Sequence, residues 1–349
     1  MRLHTALPIV AVVTLAIVAF GQGIGRGRQG MGGGPGMGPG MHMGMFAPLP
    51  EQVLNPENPL TPEKIQLGRM LYFDARLSRN GDVSCNSCHD LATYGVDHTA
   101  VSTGVEGQQG TRNAPSVYNA ALHVAQFWDA RAPAVEEQAK GPVLNPKEMA
   151  MSSPDEVETV LRRIPGYVAA FQAAFPGEAE PVTFDNMGKA IAAFERVLIT
   201  PSRWDAFLKG DAAALTDNER LGFMAFRQAG CAMCHNGPTI GATSFQQLGR
   251  AKPWPDDRDQ GRFEVTGNQR DRMVFKVPSL RNVEMTAPYF HDGSVKTLEE
   301  AIRMMGEHQL GIQLTDPNIA SIAAWLRTLT GELPVELITA PELPPDAVQ

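Results

Sequence analysis

From residue 48 onward, apolar positions recur mostly at helical spacing. Thr61-Pro62 pairs an N-cap residue with a proline at the first helical position and predicts a helix through Ile65, Met70 and Leu71. Met187, Ile191, Phe194 and Leu198 mark one face of another, expected to stop before Pro201. Thr216-x-x-Glu219 is a capping box opening a helix that runs into Cys231. Thr297-x-x-Glu300 is a second box, leading to Met304 and Met305. Asp316-Pro317 opens the last predicted helix, with Ile322, Trp325, Leu326 and Leu329 on its buried side and Gly331 as its stop. The intervening stretches are rich in Gly, Pro and Asn, and strand-like alternation is scarce and short. The expected class is mainly α with few short strands.

The N-terminus breaks this pattern. Arg2 and His4 precede an apolar run from Ala6 to Phe20 that ends in small residues around Gly21. About 20 apolar residues are needed to span a bilayer, so the run reads as an export signal over residues 1–21. The competing reading is an uncleaved anchor that would hold the protein at a membrane surface. Residues 22–47 are dominated by Gly, Met and Pro. Such a stretch buries too little apolar surface to offset its ordering entropy and is expected to be a flexible leader. Its thioethers and His42 also suit Cu(I).

The 349 residues suffice for two domains with a core each. The formal charge is −8; the three arginines before residue 48 leave 27 of the 30 basic residues to face all 38 acids. An acidic body argues against a nucleic-acid partner.

The four cysteines supply the chemistry. They stand as Cys85-Asn-Ser-Cys88-His89 and Cys231-Ala-Met-Cys234-His235. Two thiols across two residues meet the two vinyl groups of a haem, and the adjoining imidazole ligates its iron. A zinc site built from all four thiols would join pairs more than a hundred residues apart. A thioredoxin-like pair does not call for the histidine. Two local disulfides are sterically poor. Two covalent haem c groups are therefore expected. Each half of the chain runs from a capped helix through such a motif into irregular chain and further helices, with no fine internal repeat. Methionine opposite histidine raises a haem's potential, which makes the helix with Met304, Met305 and His308 the natural source of a sixth ligand.

In this order and spacing, Gly68-Arg-Met-Leu-Tyr-Phe-Asp74, Arg112-Asn-Ala-Pro-Ser116, Ala125-Gln-Phe-Trp-Asp-Ala-Arg131, Pro278-Ser-Leu-Arg-Asn282 and Thr286-Ala-Pro-Tyr-Phe-His-Asp-Gly293 accompany the two motifs. The chain from about Pro48 to Leu333 thereby resembles the bacterial di-haem cytochrome c peroxidases and, more distantly, the MauG-type enzymes. The resemblance implies two cytochrome-c-like domains. The peroxidatic one spans 48–200, with the tail 333–349 folded back onto it, and the electron-transfer one spans 201–332. It implies His89 and His235 as proximal ligands, Met305 as distal ligand of the second haem and Trp128 between the haems. It also implies Glu148 as distal acid–base, Gln138 near it, and a calcium ion held by Asn113, Thr286 and Pro288. The expected reaction is periplasmic reduction of hydrogen peroxide by electrons from a cytochrome c or cupredoxin, in a chain that admits a homodimer. Rival readings are MauG-like oxidation of a partner protein and a non-catalytic, copper-associated electron carrier. One departure stands out. Where better-known relatives carry a histidine that caps the peroxidatic iron, this chain has Val105, which cannot ligate iron; His98 could substitute only by a different loop path.

Overall fold

The computed structural model describes residues 45–346; the expected export signal and residues 22–44 of the leader, with its copper reading, lie outside them. Helices dominate, and the strands Phe245–Gln247 and Val274–Lys276 pair antiparallel with Gln246 opposite Phe275. No helix among the described residues is long and apolar enough to cross a membrane.

Two helix pairs organise the molecule. Pro62–Phe73 lies along Phe184–Glu195, and Asp217–Gln228 lies along Asp316–Arg327. Each pair crosses at a glycine. A Cβ on Gly68 would stand 1.9 Å from the Ala190 carbonyl oxygen, and one on Gly222 would stand 1.9 Å from that of Ser321. The duplication thus reappears as one packing device used twice, in segments with no readable repeat.

Around each pair lies a separate apolar core. The first gathers Leu67, Leu71, Tyr72, Phe171 and Phe194. Residues Leu333, Leu337, Ile338 and Leu343 pack on it, and Arg69 donates to the Thr339 carbonyl at 2.7 Å. The second is aromatic: Trp325 lies 4.6 Å from Phe226 and 5.1 Å from Phe223, and Trp204 lies 4.8 Å from Phe223. Phe46 joins this core, 5.3 Å from Phe223, so apolar burial reaches into the last residues counted with the leader. Beneath it the Arg281–Asp205 ion pair is sealed from solvent at 2.6 Å.

Several helix ends differ from the sequence expectation. The Thr61 and Thr216 caps form as predicted. The Thr216 helix stops at Gln228, because Gly230 turns left-handed at φ 95°, and Cys231 starts a separate short turn. Thr297 caps the helix Leu298–Met304 with its hydroxyl alone. Leu198 lies beyond its helix, where bonds from Val197 to Phe194 and from Leu198 to Glu195, both 3.1 Å, tighten the chain out of α geometry. The helix Asp316–Arg327 starts at Asp316 as expected, with Thr315 as its cap. Gly331 is no helix stop: a Cβ there would lie 2.1 Å from the Thr200 carbonyl, so its smallness serves strand-like contact with Ser202. One further turn, Val335–Ile338, follows.

Candidate functional site

The second Cys-x-x-Cys-His motif opens on a largely apolar cavity of about 250 Å³, lined by Cys231, Cys234, His235, Met305, Trp128 and His291. Burial drives the His235 imidazole down to about 4, so the ring is neutral and can offer a lone pair. The Ile240 and Pro278 carbonyls oppose that shift, although neither makes a close hydrogen bond to the buried Nδ1. Burial also raises the Cys231 thiol to about 11 and raises Cys234. Thiolates are disfavoured here, whereas neutral thioethers to a haem suit such walls. None of the four cysteines is in a disulfide. Among the described residues no three His, Cys, Asp or Glu side chains converge as a metal site.

Among Met304, Met305 and His308, only Met305 lines this cavity. After Met304 the helix widens into a π-turn over Met305–Leu310, which changes the direction in which successive side chains point. Met304 and His308 line a separate hollow with Lys252 and Glu307, and His308 Nδ1 donates to the Pro253 carbonyl at 2.9 Å.

Trp128 stands on the cavity wall, tied at both ends. Its indole N–H donates to the Asn113 carbonyl at 2.9 Å, and its own carbonyl accepts from Lys276 N–H at 2.8 Å. The indole lies edge-on to His291 at 6.4 Å. Asn113, Thr286 and Pro288 share this wall. Asn113 N–H donates to the His291 carbonyl at 2.7 Å and its side-chain amide to the Thr99 carbonyl at 2.9 Å.

The first motif has the same build. Cys85–Cys88 forms one helical turn capped by Ser84, and Tyr72 donates to the His89 carbonyl at 2.7 Å. His89 Nδ1 faces the Gly95 carbonyl at 3.3 Å, leaving Nε2 as the free nitrogen. Burial lowers His89 and pushes the Cys85 thiol up to about 12. Glu148 is close enough for its charge to act on both Cys85 and Cys88. Burial raises its carboxyl above the ordinary range, against opposing pulls from Arg131 and from Asn145, which donates to it at 2.8 Å. Gln138 is half-buried in the turn Val135–Gln138 and, among the described residues, joins neither set by a side-chain hydrogen bond.

The loop that carries Val105 folds onto Glu148. Thr103 pairs with Gln109, Val105 is buried, and a Cβ on Gly104 would meet the Lys147 carbonyl at 2.2 Å. His98 is elsewhere: exposed, with Nδ1 donating to the Ala287 carbonyl at 3.0 Å. The cavity-lining pair His123 and Lys276 carried no sequence signal. Nothing in single residues so far apart marks them as neighbours.

A family model described as di-haem cytochrome c peroxidase matches residues 62–213. Cytochrome c551 peroxidase of Nitrosomonas europaea is 45% identical over 303 residues, spanning 86% of this chain and 89% of that protein. Its namesake from Pseudomonas aeruginosa is 46% identical over 83% of this chain and 85% of its own. A solved MauG-like protein associated with microbial copper homeostasis superposes with a TM-score of 0.74 at 34% identity, covering 84% of this chain and 95% of that one.

Proposed function

Since the chain belongs to the di-haem cytochrome c peroxidase family, we propose that it reduces hydrogen peroxide to water with two electrons taken singly from a small periplasmic donor, a cytochrome c or a cupredoxin. The observation that carries this reading is the shared cavity of Cys231, Cys234, His235, Met305 and Trp128. In the proposed scheme it would join an electron-storage site to the indole of Trp128. Two covalent haems would supply electron carriage and a peroxide-binding iron.

The chain's own residues take the remaining roles. His89 and His235, both held neutral by burial, would ligate the two haem irons, and Met305 would supply the second ligand to the haem of His235. Glu148 takes the proton from the near oxygen of peroxide and returns it to the departing one; a carboxyl raised toward neutrality does both better than an ordinary one. Gln138 would orient peroxide beside it. Trp128, clamped at both ends, carries the electron between the halves. The peroxidatic domain spans 48–200 and carries the tail 333–349, and the electron-transfer domain spans 201–332; the two separate cores favour this division. Calcium would bind the Asn113 side-chain oxygen with the Thr286 and Pro288 carbonyls.

The decisive assay supplies reduced cytochrome c and hydrogen peroxide to the holoprotein. Two cytochromes should be oxidised per peroxide consumed. Haems that attach and cycle without consuming peroxide would leave only an electron carrier, and oxidation of a partner protein in place of cytochrome would favour the MauG-like reading.

A further inference from the structure

Lys276 and His123, on the wall of the second motif's cavity, are basic side chains that the proposed peroxidase chemistry does not use. Lys276 ends the strand Val274–Lys276 and is only 5% exposed. Its ammonium donates to Nδ1 of His123 at 3.1 Å. When Lys276 is protonated it has only donors, so Nδ1 accepts and the imidazole hydrogen sits on Nε2. That Nε2 is buried and meets no acceptor. The pair therefore concentrates N–H donors and a positive charge on one stretch of an apolar wall.

Neighbouring charges are already committed. Asp129 influences Lys276 without bonding to it and is held by Arg112 at 2.5 Å and Arg131 at 3.0 Å. Arg281 lines the same cavity but is bound to Asp205 at 2.6 and 2.9 Å. Burial with so little counter-charge pulls the Lys276 amine down to about 7. Burial, and then Lys276 itself, hold His123 well below its usual value. Buried donors in folded proteins are matched by acceptors, and buried charges by opposite ones. A water could satisfy Nε2 but not the charge. The wall is built for an anionic oxygen acceptor.

We infer that Lys276 and His123 form a carboxylate clamp for the haem attached at Cys231 and Cys234, gripping one of its propionates. This rests on the haem reading of the second motif and adds a binding site to it. Both sides of the clamp are fixed by backbone bonds: His123 N–H to Ala120 at 3.0 Å, Val124 N–H to Ala242 at 2.8 Å, and Lys276 N–H to the Trp128 carbonyl at 2.8 Å. The last bond ties the gripped ring edge to the indole between the halves. A fixed cation beside the ring also favours the reduced iron, in the same direction as the Met305 thioether.

The test uses the holoprotein and its Lys276→Met and His123→Phe variants, with potentiometric titration and resonance Raman spectra of the propionate bending modes. At a fixed poise, Lys276→Met should lower the ferrous-to-ferric ratio of the His235 haem by about tenfold and shift its propionate band, while the His89 haem is unmoved. His123→Phe should shift the same band, and it decides the matter if Lys276→Met fails to assemble. Attached haems with native potential and native bands in the variants would overturn the clamp alone. A native protein with no haem on Cys231 and Cys234 would overturn the clamp and the haem reading together.

Discussion

The backbone N–H of Val105 donates to the carbonyl of Glu148 at 2.9 Å. The residue in the capping position is thus pinned to the backbone of the proposed acid–base, and its side chain carries no lone pair. His98, the nearest alternative in sequence, is engaged with Ala287. The fully oxidised protein is expected to show a high-spin signal from the His89 haem beside a low-spin His/Met signal, by electron paramagnetic resonance on the as-isolated ferric form. It should react with peroxide without prior reduction. Two low-spin signals would mean that another residue caps the iron, and His98→Ala would identify it.

Glu148→Gln should leave both haems attached and reducible while turnover falls by about 10²–10⁴-fold. The sign of the pH response follows from the neighbours. Burial raises the Glu148 carboxyl and Arg131 lowers it. Removing Arg131 raises it further, so the carboxylate needed as base is lost at a higher pH. The acid limb of kcat/KM should move upward in Arg131→Gln and vanish in Glu148→Gln. An acid limb that stays in place in Arg131→Gln would count against Glu148 as the titrating group.

Met305→His should lower the potential of the His235 haem, because a more basic ligand replaces a soft one, and should abolish its near-infrared charge-transfer band. Met304→His should do neither, since Met304 faces the other hollow. A reversed pattern between these variants would move the assignment.

Calcium removal tests the wall shared by Asn113, Thr286 and Pro288. Native protein should contain the metal by elemental analysis and lose turnover on chelation. Asn113→Ala should reproduce that loss, since Trp128 is held by the Asn113 backbone carbonyl, which the substitution retains. Full turnover of chelated, calcium-free protein would remove the ion from the proposal.

Gly68→Ala and Gly222→Ala should each cost about 1–3 kcal/mol through overpacking, read as a lower unfolding midpoint. In each case the new methyl would press on a carbonyl oxygen of the opposing helix. A midpoint unchanged in both would mean that the helix pairs slide apart at little cost.

The sequence alone determined the two haem-attachment motifs, the helical class and most helix starts. Each rests on chemistry complete within a few residues: two thiols beside an imidazole, or a hydroxyl three residues before the N–H it caps. Helix ends were less legible, because Gly230 and the tightening after Glu195 act through backbone geometry that composition only hints at. The resemblance singled out Met305, but the π-turn that sends Met304 and His308 to the other hollow is something no pattern of apolar residues announces. The placement of Val105 against Glu148 and of Lys276 against His123 was decided only by tertiary structure. The second pair lies 153 residues apart in the chain, and neither residue has a local partner that marks it. Folding brings two donors into one apolar wall, and what they require becomes visible only there.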